Sequence, residues 1–493
     1  MKNRFLNNIF AVEVVFFALF VLGVLPRDLV VYFVIFLAAY VLAAKTEDST
    51  IFFVRSIPFF LAIPLTTNFD NFNTWRILSA IIFIKWGWPK INLRATSYKL
   101  QTASWLLIGL LLLAVLSIIP APDKVAAVKR VIYFVNLSLI GMVIYDLTRS
   151  KEFTKRLIRN IFIPVILVTI VGLLQVASTY FMDIYQFMRL WGEGIQCVQF
   201  GNQWCNIATW EGNTWFAYYG EQLSLRVFSL FTDSHTFPMF ILMGLPAIFA
   251  ISLQRIPQLK HSAWWIPMIF LVSILSGTRG IWAASIGVVI LAGITVFRLA
   301  KPKKDLFKYI SLYLVLFFML FVVAYPIFVS PQFLVSKGDW GLLGNRVRSI
   351  IDFGETSNAQ RIAIWKASWE SIKQHPLLGV GIGNFPVVLN QDVELAKAGS
   401  SAHNLYIHIA AEMGLAAIIL AVWFFWLLFK KNYTNFVKEG DHFLSVYYAA
   451  SLLFIPWILI YLLTDAALFD ERAFLMFATV TSIILGKRQN DNG

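Results

Sequence analysis

The chain has 493 residues, of which 59% are hydrophobic and 14% charged, whereas a soluble domain is about 45–50% apolar and about 25% charged. Its mean hydropathy of +0.71 excludes an ordinary soluble enzyme and leaves a polytopic, all-α membrane protein. The net charge of +14 has the sign that nucleic acid would require, but its distribution along the chain points to another origin.

In chain order, apolar stretches lie at 9–25, 29–44, 51–65, 72–88, 103–119, 125–147, 158–180, 237–254, 263–277, 281–297, 309–329, 404–429, 443–463 and 473–486. With the short N-terminal pairs counted either way, they predict 12–14 transmembrane helices, the shortest little tilted or partly re-entrant. No small-residue cleavage site separates the first stretch from the second, so no cleavable signal peptide is expected. With Lys2 and Arg4 placed in the cytoplasm, every second connection carries basic clusters such as Arg149, Lys151, Lys155, Arg156 and Arg159, or Lys301, Lys303, Lys304 and Lys308. More than half of the 41 Lys and Arg fall in these short segments, as the positive-inside rule requires. The basic balance is therefore mostly a topology signal, and no nucleic-acid partner is expected. Both termini come out cytoplasmic. Two long connections, 181–236 and 330–403, fall on the outer face, and loops of that length usually carry function.

The first long loop holds both cysteines, Cys197 and Cys205. In one extracytoplasmic loop they can close a small disulfide ring or remain two free thiols, and the sequence leaves both open. The loop is dense in aromatics: Trp191, Trp204, Trp210, Trp215, Tyr218 and Tyr219. Such side chains suit sugar rings, and they also suit the membrane interface, the preferred reading for any single one. In the second loop Ile362, Trp365, Trp369 and Ile372 recur at helical spacing, Ser357 with Gln360 reads as a capping box, and Pro376 ends the helix. This Trp-rich stripe predicts a helix lying on the membrane interface, with packing against the bundle as the competing arrangement.

Charged groups beside a membrane are functional candidates by default. On the expected outer side they are Arg226, ahead of Asp233 and His235; Arg279, in the tight break Ser276-Gly-Thr-Arg-Gly280; and Arg361. Guanidinium forks bind phosphate oxygens in pairs, so Arg226 and Arg279 together can hold the diphosphate of a lipid-linked substrate. A lone arginine is explained as well by snorkelling to lipid phosphate or by capping a helix C-terminus. His403, expected in the first turn of the stretch 404–429 after Ser400 or Ser401, is largely neutral at pH 7 and can accept a proton. Taken alone it reads first as an interfacial histidine with one hydrogen bond. His408 and Glu412 share a helix face, which suggests a structural pair. Glu13 and Arg55, inside the first and third stretches, mark either a transport path or a mutual pair. The Gly379/Gly381/Gly383 pattern lacks a dinucleotide fingerprint and reads as a tight turn. No Ser-His-Asp spacing, Walker motif or zinc-ligand cluster is present, so no metal or cofactor is expected, although Asp233 keeps a divalent ion open.

Arg361-Ile-Ala-Ile-Trp365, His375-Pro-Leu-Leu-Gly-Val-Gly-Ile-Gly-Asn-Phe385 and Ala402-His-Asn-Leu-Tyr-Ile-His-Ile-Ala-Ala-Glu-Met-Gly414 occur in this order. Together with Ser276–Gly280 and the Arg226 stretch they resemble the O-antigen ligase and O-antigen polymerase superfamily of bacterial envelope glycan enzymes, over roughly 220–430. The resemblance implies a GT-C-type glycosyltransferase in the bacterial inner membrane, working on its periplasmic face. The donor would be a glycan on undecaprenyl diphosphate, and the acceptor the lipid A core or a second lipid-linked glycan. His403 would be the catalytic base, with Arg226 and Arg279 on the diphosphate. Arg361, Asn404, Glu412, Asp233 and His235 would be supporting positions. The Asp-Ser-His order after Arg226 departs from the Pro or Asn that many members carry after the Asp. The organisation expected is an N-terminal transmembrane region at 1–220, a ligase-related core at 221–430 and C-terminal helices at 431–493. A ligase is the leading reading and a repeat-unit polymerase the second. A flippase for the same lipid-linked glycan is the rival of another class, although its charges belong along a central cavity rather than at the outer face.

Overall fold

In the computed structural model, residues 2–66, 72–91, 102–202, 204–205, 214–219, 222–254, 262–334, 356–391 and 401–486 are described. Among them, seven helices are long and apolar enough to cross a membrane: Arg4–Val21, Lys124–Leu147, Lys151–Ser178, Arg279–Arg298, Lys303–Val329, Leu415–Lys438 and His442–Tyr461. Thr102–Leu116, Thr236–Ser252 and Trp265–Leu275 are shorter apolar helices. The protein is an all-α polytopic membrane protein, with two short antiparallel hairpins in its connections. The expected stretch 404–429 is two helices, Leu405–Met413 and Leu415–Lys438, because Gly414 between them has a φ of 84°. The stretch 51–65 is helical only to Ser56, where a 3-10 turn around Pro58 ends it.

Two helices form the centre. Every residue of Thr236–Ser252 is buried, and so is nearly all of His442–Tyr461. Sequences apolar on every side need protein on every side, and these two pack on each other. The Arg279–Arg298 helix lies against His442–Tyr461 with one face and leaves Ile286, Ile290, Ile294 and Phe297 uncovered by protein on the other. That face is suited to lipid.

The described parts of both long connections pack against the helices. In the first, Asp183 and Gln186 form a capping box that starts a short helix, and a π-helix, Met188–Gln196, follows. Cys197 and Cys205 are disulfide-bonded. Trp191 and Trp215 are buried, with Trp191 Nε1 donating to Ser178 Oγ at 3.0 Å and Trp215 Nε1 to Thr232 O at 2.9 Å. These indoles serve the protein interior rather than sugar or lipid. Trp204 is part-buried against Gln196; Trp210 and the side chains of Tyr218 and Tyr219 lie outside the described residues. In the second connection the helix Thr356–Gln374 packs on Leu405–Met413. Ile372 is buried and Trp365 Nε1 donates to Ala402 O at 2.8 Å, while Trp369 stays 58% exposed. Packing against the bundle thus prevails over an interfacial position. Ser400 and the side chain of Ser357 lie outside the described residues.

Glu13 and Arg55 do not pair with each other. Ser56 Oγ donates to Glu13 Oε2 at 2.5 Å, and Arg55 donates to Asn160 Oδ1 at 2.7 Å and Asn7 Oδ1 at 2.8 Å. Neutral partners satisfy both groups inside the helices.

Candidate functional site

Arg226 leaves the hairpin Phe216–Tyr219/Gln222–Leu225 and is fixed at once. Its N–H donates to Trp215 O at 2.8 Å, and the next N–H, of Val227, donates to Leu275 O at 3.1 Å. The guanidinium then reaches two elements: Nε donates to Ser276 O at 3.4 Å, and Nη2 lies 3.1 Å from His235 Nε2. Asp233 aims that histidine, since its Oδ1 accepts the N–H groups of His235 and Thr236, both at 2.8 Å, at the start of the Thr236–Ser252 helix. On its other side His235 Nδ1 is 2.8 Å from Asp465 Oδ2. A guanidinium can only donate, so in a neutral His235 ring Nε2 accepts from Arg226 and the proton sits on Nδ1, toward Asp465.

Arg279 opens its helix immediately after Thr278, whose Oγ1 donates to Ser234 O at 2.6 Å. This bond ties the Ser276–Gly280 break to the His235 segment. Gly280 allows a third close approach: a Cβ there would lie 2.2 Å from Thr464 Oγ1 and 3.0 Å from the Tyr461 ring. Gly280→Ala is therefore expected to destabilise the protein by about 1–3 kcal/mol through overpacking. Gly293→Ala in the same helix, with no atom within 4 Å of the new Cβ, should be neutral. Thermal unfolding of the purified variants checks the contrast, and equal midpoints would refute it.

His403 is not in a helical turn. The helix begins at Leu405, because Asn404 takes the cap: its Oδ1 accepts from Tyr406 N–H at 3.0 Å and Ile407 N–H at 3.1 Å. The short amide outcompetes a helical start one residue earlier. His403 sits before it in the left-handed region, φ 44°, a conformation histidine tolerates better than most residues and one that concentrates at functional sites. Leu405 N–H is shared between Leu462 O at 2.9 Å and Asp465 O at 3.1 Å, so the segment after His403 is bonded to the segment carrying Asp465.

These segments enclose a pocket of about 350 Å³ that Arg226, Arg279, Arg361, His235, His403 and Asp465 all line, with Tyr461 and Thr278 beside them. Burial of the Arg226 head group lowers it to about 10, so it stays cationic at neutral pH. Burial also lowers His403 below its ordinary 6.5; Asp465 pulls the other way, and Arg361 adds to the lowering. Burial alone would raise Asp465, but His235, His403 and Arg361 more than reverse this and hold its carboxyl well below the usual range. The pocket thus combines three guanidiniums, one carboxylate and two imidazoles, of which burial favours the neutral form of His403.

The other candidates lie outside the pocket lining. Asn404 is a helix cap, and Asp233 stands behind His235. Glu412 faces away, accepting Phe385 N–H at 3.1 Å with Oε1, 3.3 Å from His408 Nε2. The Gly379–Gly383 turn is structural: Gly379 has a φ of 63°, and a Cβ on it would meet the Glu412 backbone at 2.3 Å. Among the described residues no group of three His, Cys, Asp or Glu is placed to hold a metal ion. The sequence reading missed Asp465 and Tyr461. The available sign was an acidic residue in the short connection between the last two apolar stretches, beside Asp470 and Glu471.

In this multi-pass membrane protein the ends of the central helices carry an arginine-lined polar pocket suited to an anionic ligand. Comparison with known families narrows this. Residues 266–422 match the family model described as O-antigen ligase, so this segment is similar to O-antigen ligase-related proteins, a resemblance that supports an enzyme of glycan ligase or polymerase type. No curated protein matches the chain. Arg279, Arg361 and His403 lie within the matched segment; Arg226, His235, Tyr461 and Asp465 lie outside it, and folding brings them in.

Proposed function

We propose that the protein is a GT-C-type glycosyltransferase of the bacterial inner membrane that moves a glycan from undecaprenyl diphosphate to an acceptor sugar hydroxyl on the periplasmic face, as an O-antigen ligase. The observation that carries this reading is the meeting of Arg226, Arg279 and Arg361 with His403 around one pocket. Three guanidiniums against one carboxylate leave a positive site suited to a diphosphate. The diphosphate is a good leaving group once its developing charge is stabilised. The acceptor oxygen bonds to the anomeric carbon, the bond from that carbon to the diphosphate oxygen breaks with its electron pair, and the hydroxyl proton passes to His403. Asp465 then stabilises the imidazolium, and His235 keeps Asp465 and Arg226 from collapsing onto each other. Arg226 and Arg279 hold the diphosphate, and Arg361 supports from the helix Thr356–Gln374. The basic clusters support a topology with both termini cytoplasmic and this pocket outside.

Purified lipid-linked glycan supplied with separate acceptors tests the proposal. Product on lipid A core supports the ligase, longer lipid-linked chains support a repeat-unit polymerase, and donor movement without a new glycosidic bond refutes both in favour of a flippase. The His403 environment adds a pH expectation. A base whose value is lowered below 6.5 stays active down to that pH and is lost only as it is protonated below. The acid limb of kcat/KM, which reports the ligand-free enzyme, should therefore fall below pH 6.5; a limb centred above it would contradict this assignment.

A further inference from the structure

The pocket does not account for a second, wholly buried histidine one helical turn beyond His403. His408 is 3% exposed, stacked on Phe385 with ring centroids 4.6 Å apart and met edge-on by Phe469 at 4.9 Å. Its Nδ1 accepts the N–H of Ala402 at 3.3 Å. That bond requires a lone pair on Nδ1 and places the ring proton of the neutral form on Nε2, 3.3 Å from Glu412 Oε1. Ala402 is held from the opposite side as well, its carbonyl accepting from Trp365 Nε1 at 2.8 Å. Both polar groups of one buried peptide residue are thus taken by side chains, and the next residue is His403 in its left-handed conformation.

We propose that His408 is a positioning residue for the transfer reaction: the Ala402 N–H sets its tautomer with Glu412 close to the opposite ring nitrogen, His408 and Trp365 clamp Ala402, and the clamp holds His403 in the backbone conformation that turns its imidazole into the pocket. The inference rests on the glycosyltransferase reading, and it explains why a carboxylate and an imidazole lie buried behind the pocket rather than in it. An imidazole supplies an acceptor and a flat ring at once. Phenylalanine would keep the stacking and lose the acceptor. Asparagine would keep an acceptor near the Nδ1 position and lose the ring.

The test compares His408→Phe and His408→Asn in the full-length protein in two ways. Hydrogen–deuterium exchange of the peptide covering Ala402 reads the clamp without turnover: faster exchange than wild type is expected in His408→Phe, and near wild-type protection in His408→Asn. Transfer from a polyprenyl-diphosphate-linked glycan reads the consequence: kcat should fall about 10- to 100-fold in His408→Phe with little change in donor KM, and His408→Asn should recover most of it. Unchanged exchange in His408→Phe, or equal kcat losses in the two variants, would overturn the proposal. If the wild-type protein transfers no glycan, the functional reading fails, while the exchange comparison still decides whether the clamp exists.

Discussion

His403→Ala should lower kcat for glycan transfer by about 10²–10⁴-fold while the protein accumulates in the membrane at its normal level. The effect is expected on rate rather than on folding because the helix cap is Asn404 and not His403. The imidazole bears on the pocket, and the backbone N–H of His403 donates to Ser401 Oγ at 3.2 Å whatever the side chain. Alanine is strained in the left-handed region by about 1–2 kcal/mol, so His403→Asn, which accepts that conformation, separates lost base from lost backbone geometry. Both variants should be inactive. Wild-type transfer by either one, at matched protein level, would remove His403 from the role of base.

The second large effect is expected at Arg226. Arg226→Lys keeps the charge but replaces a fork by a point donor. The wild-type guanidinium reaches Ser276 O and His235 Nε2 with further N–H groups left to face a ligand. A lysine ammonium cannot span the same partners and a phosphate together. A loss of about 10²–10³-fold in kcat is expected, the scale for removing one preorganised charge stabiliser, and added salt should not restore it. A variant changed only in donor KM would show instead that Arg226 binds the ground state and the leaving group equally.

The fold was readable because hydropathy reports helices directly: the apolar stretches of the sequence lie largely on helix, with 51–65 leaving it after Ser56. The cationic side of the site was readable too, since Arg226, Arg279 and Arg361 are charges beside apolar stretches and need a reason to be there. Asp465 was not readable. An acid in a short connection looks like a helix cap, as its neighbour Asp470 is, accepting from Arg472 N–H and Ala473 N–H. Only tertiary folding turns Asp465 toward His235. The misplacement of His403 has a local cause, the competition between Ser401 and Asn404 for the cap, which sequence spacing does not resolve. Glu412 carried the pattern of a site residue yet works on Phe385 and His408, because a motif records what a segment needs in order to fold as well as what it does.

The pocket is mounted unevenly. His235 and Tyr461 stand at the ends of helices wrapped by protein, whereas Arg279 begins a helix with one apolar face uncovered. A bilayer of different thickness re-tilts the helices it touches and leaves shielded ones in place. Acyl-chain length therefore acts on one arginine against a fixed background, through a hinge with little play where Gly280 meets Thr464. Reconstitution in lipids of graded chain length becomes a dial on the distance between Arg226 and Arg279, with no change in sequence.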